Sequence, residues 1–292
     1  MKATATINND LCAQCMSCVS SCPYQAATQR GDKFYVSSFC TGCGNCIAFC
    51  PTGAVSVSDE LIELDNQKND AALKELLGIK KPIVAMKYAN APLEGMETEE
   101  GPTFWCALCG NVCAAAADPI FFTVKSIICG GASLFGLGNR KVTKQEMQEA
   151  MVATQVVGKG RHYRTLWEMA KGRSNYPPLI KRYEGIIIGP LDKVEMPDLV
   201  ILPVNGDQTS RLAAAYTYDT GNIITGSAGS AGCIATSTAY VEKKPMFTCG
   251  DHGVRTFMQL DPGEILVSTP YLLVPGFVKN LTTVAEVSAE DK

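Results

Sequence analysis

The residues of this chain best suited to chemistry are its cysteines. There are 14 in 292 residues, and eight of them stand in two runs. Cys12, Cys15, Cys18 and Cys22 form the first run; Cys40, Cys43, Cys46 and Cys50 form the second. Each run reads C-x2-C-x2-C-x3-C and is closed by a proline, Pro23 or Pro51, and the second repeats the first 28 positions later. The prolines end the ligand loops by removing a donor and fixing the backbone. Structural zinc sites usually pair C-x2-C units across longer gaps. Sulfurs at intervals of three, followed by a fourth, favour iron-sulfur clusters instead.

Over about 60 residues this spacing resembles the bacterial two-cluster ferredoxins. The resemblance implies two 4Fe-4S clusters that pass electrons one at a time. It also implies crossed ligand sets, because the fourth cysteine of each run turns away to the neighbouring cube. Cys12, Cys15, Cys18 and Cys50 then hold one cluster, and Cys40, Cys43, Cys46 and Cys22 the other. Gly42 and Gly44 let backbone amides approach sulfur, which raises the reduction potential. Extended segments at 3–7 and 54–58 frame the module, and AATQRGDKFYV reads as a hairpin turning at Arg30-Gly31-Asp32.

Six further cysteines lie downstream. Cys106, Cys109 and Cys113, at offsets of three and seven, share one helical face, and Cys129 sits between an expected strand and CGGASLFGLG. Cys233 follows the small-residue loop GSAGSAG, which suits an anion, a cluster or a tight turn. The loop lacks the lysine of a phosphate-binding loop. Cys249 stands beside Gly250, Asp251, His252 and Arg255. There His252 is a candidate proton donor and Arg255 a candidate carboxylate or phosphate binder, a hydrogen-bonded turn being the bland alternative. Isolated free cysteines are often just small buried apolar residues. Four within 24 positions, behind a ferredoxin module, favour a third iron-sulfur site.

Residues from about 70 to 287 resemble the uncharacterised domain-of-unknown-function 169 family, through IVAMKY, FWCAL, CGGASLFGLG, the long GIIIGP to AAAYTY segment, AGCIATSTAYVEKKP, FTCGDHGVR and EILVSTP. The resemblance supplies no reaction. Its matching segments each carry one cysteine, which implies a dispersed ligand set of Cys106, Cys129, Cys233 and Cys249. Cys109 and Cys113 are extra to that pattern. The rival is the local set Cys106, Cys109, Cys113 and Cys129, and six thiolates would also suit a larger cluster. The C-x2-C-x3-C order reverses that of radical S-adenosylmethionine enzymes.

Elements must carry these residues. The expected fold class is an α+β ferredoxin-like iron-sulfur module over 1–60, a polar connector over 61–80, and an α/β domain over 81–292. Buried strands are read at KKPIVAMKY, PIFFTVKSII, GIIIGP, DLVILPV and GEILVSTP; helices at AALKELLGI capped by Gly78, at 143–155, at 164–172, at 207–218 starting from Asp207, and at the C-terminus, interrupted near Pro275 and Gly276. His162 reads as structural.

A formal charge of −3, with 46% apolar and 19% charged residues, indicates a soluble globular protein and argues against nucleic acid. No signal peptide or membrane span is read, so a cytoplasmic protein is expected, with metal-bound rather than disulfide-bonded cysteines and an anaerobic or reducing niche. The expected function is an iron-sulfur redox protein. Its module relays single electrons to the third site, which reduces a small-molecule substrate, as an iron-sulfur oxidoreductase would, or serves a redox partner protein. The alternatives are a non-catalytic electron-transfer subunit and a factor that handles metal or cofactors.

Overall fold

The computed structural model describes residues 1–101, 118–124, 136–137, 143–145, 149, 163–174, 179, 181–227, 232–250, 255 and 259–290. The first module is built from β1 (Lys2–Ile7), α1 (Ser17–Ser20), β2 (Ala27–Arg30), β3 (Lys33–Val36), α2 (Asn45–Ala48) and β4 (Val55–Ile62). β1 and β4 pair antiparallel from Ile7 opposite Val55 to Lys2 opposite Ile62. β2 and β3 form the expected hairpin, with Arg30 opposite Lys33. The sequence repeat is also a repeat of backbone. α2 begins 28 positions after α1, and left-handed residues pair off at the same offset: Gln14 with Gly42, Met16 with Gly44, Gln25 with Gly53. The chain needs those conformations even where the residue is not glycine.

Residues 61–80 are mostly regular structure rather than a polar connector. β4 continues to Ile62, and α3 (Asn66–Leu77) starts after three intervening residues, with Asp65 as its N-cap, accepting the Lys68 amide. Strand pairing with β1 overrides the acidic composition of DELI. Gly78 ends α3 in the left-handed conformation, as expected.

The larger sheet adds β5 (Val84–Ala89), β6 (Thr98–Gly101), β7 (Ile120–Val124), β8 (Gly185–Pro190), β9 (Leu199–Val204), β10 (Thr225–Ser227), β11 (Met246–Thr248) and β12 (Ile265–Pro270). Its order is β10-β11-β12-β9-β5-β8-β7-β6. Among the described strands the outer pairs β10/β11 and β6/β7 are parallel and the pairings between them are antiparallel. The domain is therefore a mixed-sheet α+β unit rather than a parallel α/β one. Runs such as GIIIGP and LVILPV mislead here because both faces of their strands are buried. A continuous apolar run reports two-sided burial, not strand direction.

The helices responsible are α3, α5 (Gly206–Thr220) and α7 (Val274–Glu290) on one face and α6 (Gly232–Glu242) on the other; α4 (Leu166–Ser174) precedes β8. Ala85, Ile187, Val200, Leu202 and Val267 point to the first set, and Met86, Ile186, Ile188, Leu199 and Ile201 to α6. α5 is capped by Asn205, two residues ahead of the expected Asp207. Asn205 and Gln208 form a reciprocal capping box. α7 is continuous, not interrupted: Pro275 sits in its first turn, where a missing N–H costs nothing.

Gly276 has a different purpose. A Cβ there would lie 2.7 Å from the Phe39 ring and 2.7 Å from Ser38 O. The glycine is a notch in α7 that admits the N-terminal module. Phe39 is fully buried in it, edge-on to Tyr216 at 5.0 Å and to Phe277 at 4.9 Å. Polar contacts ring this knob. Ser38 N–H donates to Asp219 Oδ2 (2.7 Å), Arg30 donates to Asp219 O (2.8 Å), and Asn222 Nδ2 donates to Gln25 O (3.3 Å). Asn280 Nδ2 holds the other Asp219 oxygen at 2.9 Å. Module and domain thus share one apolar cluster, running from Cys18 and Phe34 to Leu212 and Phe277.

Candidate metal centre

Two cavities open inside the first module. One, of about 190 Å³, is lined by Cys22, Cys40, Cys43 and Cys46, and by no charged side chain. The other is lined by Cys12, Cys15, Cys18 and Cys50. Each takes three cysteines from one run and the last cysteine of the other. The short helices cause this: α1 carries Cys22 away from the first run, and α2 carries Cys50 away from the second.

The left-handed residues aim backbone amides inward. Gln14 N–H donates to Cys12 Sγ (3.4 Å), and Ala26 N–H to Cys22 Sγ (3.2 Å). Gly42 cannot be replaced without movement, since a Cβ there would collide with the carbonyl oxygen of Ala3. Burial pushes the Cys18 and Cys40 thiols up, and the Cys46 thiol up to about 11. Cys15 lies at an exposed mouth, where the Ser17 hydroxyl and amide hold its thiol below the ordinary range. At Cys50 slight burial works upward, but the amides of Val55, Thr52 and Ala54 outweigh it and the thiol is lowered. The buried thiols keep their protons unless a metal displaces them.

The donor set fits a 4Fe-4S cluster. Each cavity offers four soft sulfurs, and the larger, about 190 Å³, is roomier than one zinc ion needs. The second cavity is narrower, about 10 Å³.

The downstream candidates are placed less closely together. Cys233 is buried in the first turn of α6, against the second sheet face. Cys249 is exposed and directly follows β11. Ser227 of β10 is level with Thr248 of β11, so the segments leading to Cys233 and Cys249 leave the same end of the sheet. Three of the five donors of Arg255 are taken by backbone carbonyls. Arg255 donates to Glu264 O (2.7 Å), Asp261 O (2.8 Å) and Cys249 O (3.3 Å), tying the Cys249 segment to the turn before β12. Cys106, Cys109, Cys113, Cys129, His162 and His252 lie outside the described residues, as do residues 228–231 of the small-residue loop.

The residues that sequence reasoning missed are Phe39, Tyr216, Phe277 and Asp219, which seat the module. The one available signal was the repeat itself, which sets Phe39 against Leu11.

The fold and its thiols define an iron-sulfur domain built onto a mixed-sheet α+β domain. Residues 4–51 match the profile of the 4Fe-4S dicluster domains. Residues 72–280 match that of the domain-of-unknown-function 169 family, described as an uncharacterised ArCR, and the chain belongs to this family. Neither a curated protein nor a solved structure matched the chain. Among the described residues no helix is long and apolar enough to cross a membrane.

Proposed function

We propose that the chain is an iron-sulfur redox protein in which two 4Fe-4S clusters relay single electrons toward the C-terminal domain. The observation that carries this reading is the pair of cavities, each lined by four thiols with the fourth cysteine exchanged between runs. A cluster in such a site supplies reversible one-electron transfer. The chain's own part is to hold it by four thiolates, to set its potential with inward amides, and to fix it against α5 and α7 through Phe39.

The destination in this reading is a third iron-sulfur site drawn from Cys106, Cys109, Cys113, Cys129, Cys233 and Cys249, at which a small substrate is reduced. His252 is its candidate proton donor; Arg255 positions the Cys249 segment rather than the substrate. One observation favours a second reading, an electron-transfer subunit that serves a separate catalytic protein. Cys249 leaves the sheet near the start of α5, while Asp219, which holds the module, lies at the far end of that helix. At 1.5 Å per residue the two ends are roughly 20 Å apart.

Iron and acid-labile sulfide analysis, with EPR of the reduced protein, tests the proposal. Two clusters require about eight irons per chain and three about twelve. Cys46→Ser and Cys22→Ser should perturb the same signal, and Cys18→Ser the other one. Zinc in place of iron, or Cys22→Ser grouping with Cys18→Ser, would sink the reading.

A further inference from the structure

The 28-residue repeat allows one face of the module to be compared with its twin. Leu11, just before Cys12, corresponds to Phe39, just before Cys40. Gly53 corresponds to Gln25, and both backbones are left-handed. Phe39 and Gln25 flank the thiols of Cys40 and Cys22, in one cavity; Leu11 and Gly53 flank those of Cys12 and Cys50, in the other. A matching bond ties each face together, Ser37 N–H to Ala26 O and Asn8 N–H to Ala54 O, both 2.8 Å.

The C-terminal domain covers the Phe39 end of the first face, where Pro23 and Gln25 stay exposed but Phe39 is fully buried. It takes Phe39 into an aromatic recess and gives Gln25 O a side-chain amide donor, Asn222. The second face is bare: Leu11 is 55% exposed, and Pro51, Thr52 and Gly53 are exposed beside it. Residues 8–13 and 50–54 carry one carboxylate, Asp10, and no cation, and the turn with exposed Asp32 and Lys33 lies next to them through Asn9 and Gln14.

We propose that the Leu11–Gly53 face is the docking surface for an external redox protein, which exchanges electrons through the Cys12, Cys15, Cys18, Cys50 cavity while the Phe39 face serves the C-terminal domain. The inference rests on the two-cluster reading above. The covered twin describes the partner. It presents a recess that accepts one branched apolar side chain, with a hydrogen-bond donor at its rim for the Gly53 carbonyl. Its surface opposite Asp10 is neutral or basic. The module then has an outward and an inward port, and the chain's input is set by which port the fold left open.

The test uses the reduced full chain and a basic cytochrome c as a one-electron acceptor, mixed anaerobically by stopped flow. Leu11→Glu adds a steering charge to the proposed port. Val57→Glu adds the same charge at a 65% exposed position on the rim of the other cavity. Leu11→Glu should raise the second-order rate at low salt about three- to tenfold, with the gain vanishing at high salt, and Val57→Glu should stay within about twofold. Equal gains, a larger gain from Val57→Glu, or no gain from Leu11→Glu overturn the assignment. So does a wild-type dimer that Leu11→Glu converts to monomer in sedimentation, since a second copy would then be the occupant. Both variants must keep the wild-type EPR spectrum of the reduced clusters. A wild-type chain without a two-cluster spectrum brings down the underlying reading instead, before any rate is measured.

Discussion

Phe39→Ala is the most informative single perturbation, because it removes the contact that makes module and domain one body. Phe39 is fully buried and meets two rings edge-on. Truncating a buried phenylalanine costs about 3–5 kcal/mol, and each edge-to-face pair contributes about 0.5–1.5 kcal/mol of it. That is a large fraction of the roughly 5–15 kcal/mol that holds a domain together. The internal control is Leu11→Ala, at the repeat-related exposed position, where about 0.5 kcal/mol or less is expected. The assay is anaerobic denaturant unfolding of the cluster-loaded chain, followed by both cluster absorbance and far-ultraviolet circular dichroism. In the wild type the two signals should fall together, and in Phe39→Ala they should separate as the module lets go first. A double-mutant cycle with Phe277→Leu should return a coupling of about 0.5–1.5 kcal/mol. Phe39→Ala costing no more than Leu11→Ala, or wild-type transitions that already separate, would refute the shared core.

Two more predictions concern backbone and charge. Gly42→Ala should weaken cluster retention at Cys40, Cys43 and Cys46 by driving a methyl group into Ala3 O, whereas Gln14→Gly, at the repeat-related left-handed position, should stabilise by roughly 1 kcal/mol; iron content and thermal melting read both, and equal losses would contradict the account. Burial holds the Asp198 carboxyl above the usual carboxylate range, offset in part by the Tyr88 amide and by Lys243, Lys87 and Lys181, with Tyr24, Tyr88 and Tyr240 also facing it. A raised folded-state pKa contributes stability that is full below the unfolded value and is lost as pH rises through the folded one. Asp198→Asn keeps an oxygen for the Tyr88 amide, so its melting temperature relative to wild type should climb between about pH 4 and pH 7; a fall over that range would mean that the lysines outweigh burial.

The sequence made the first 60 residues legible because metal ligation leaves little freedom. Cysteine spacing, closing prolines and paired glycines are local, and local signals survive without coordinates. Strand existence was equally plain at GIIIGP and LVILPV, yet strand direction was not, since two-sided burial erases the alternation that would report it. Leu61 and Ile62 read as connector because pairing with β1 is a tertiary fact that composition does not carry. Gly276 reads in sequence as a helix breaker, and only a distant Phe39 reveals it as a notch. Arg255 shows the same limit at the candidate site: its residue type suggests an anion, but three of its five donors go to backbone carbonyls.

The seating of Phe39 also has a consequence for how the protein is made. Cys40 and Cys46 are buried in the finished structure, and Phe39, beside Cys40, is closed over by α5 and α7. Those helices are translated late. Cys50 leaves the ribosome roughly 150 residues ahead of the start of α5, which at 5–20 residues per second is on the order of ten to thirty seconds. During that interval the module exists without its cap, its thiols within reach of whatever delivers iron and sulfide. Chain order therefore gives an interval in which the thiols of the module are accessible before α5 and α7 can close over Phe39.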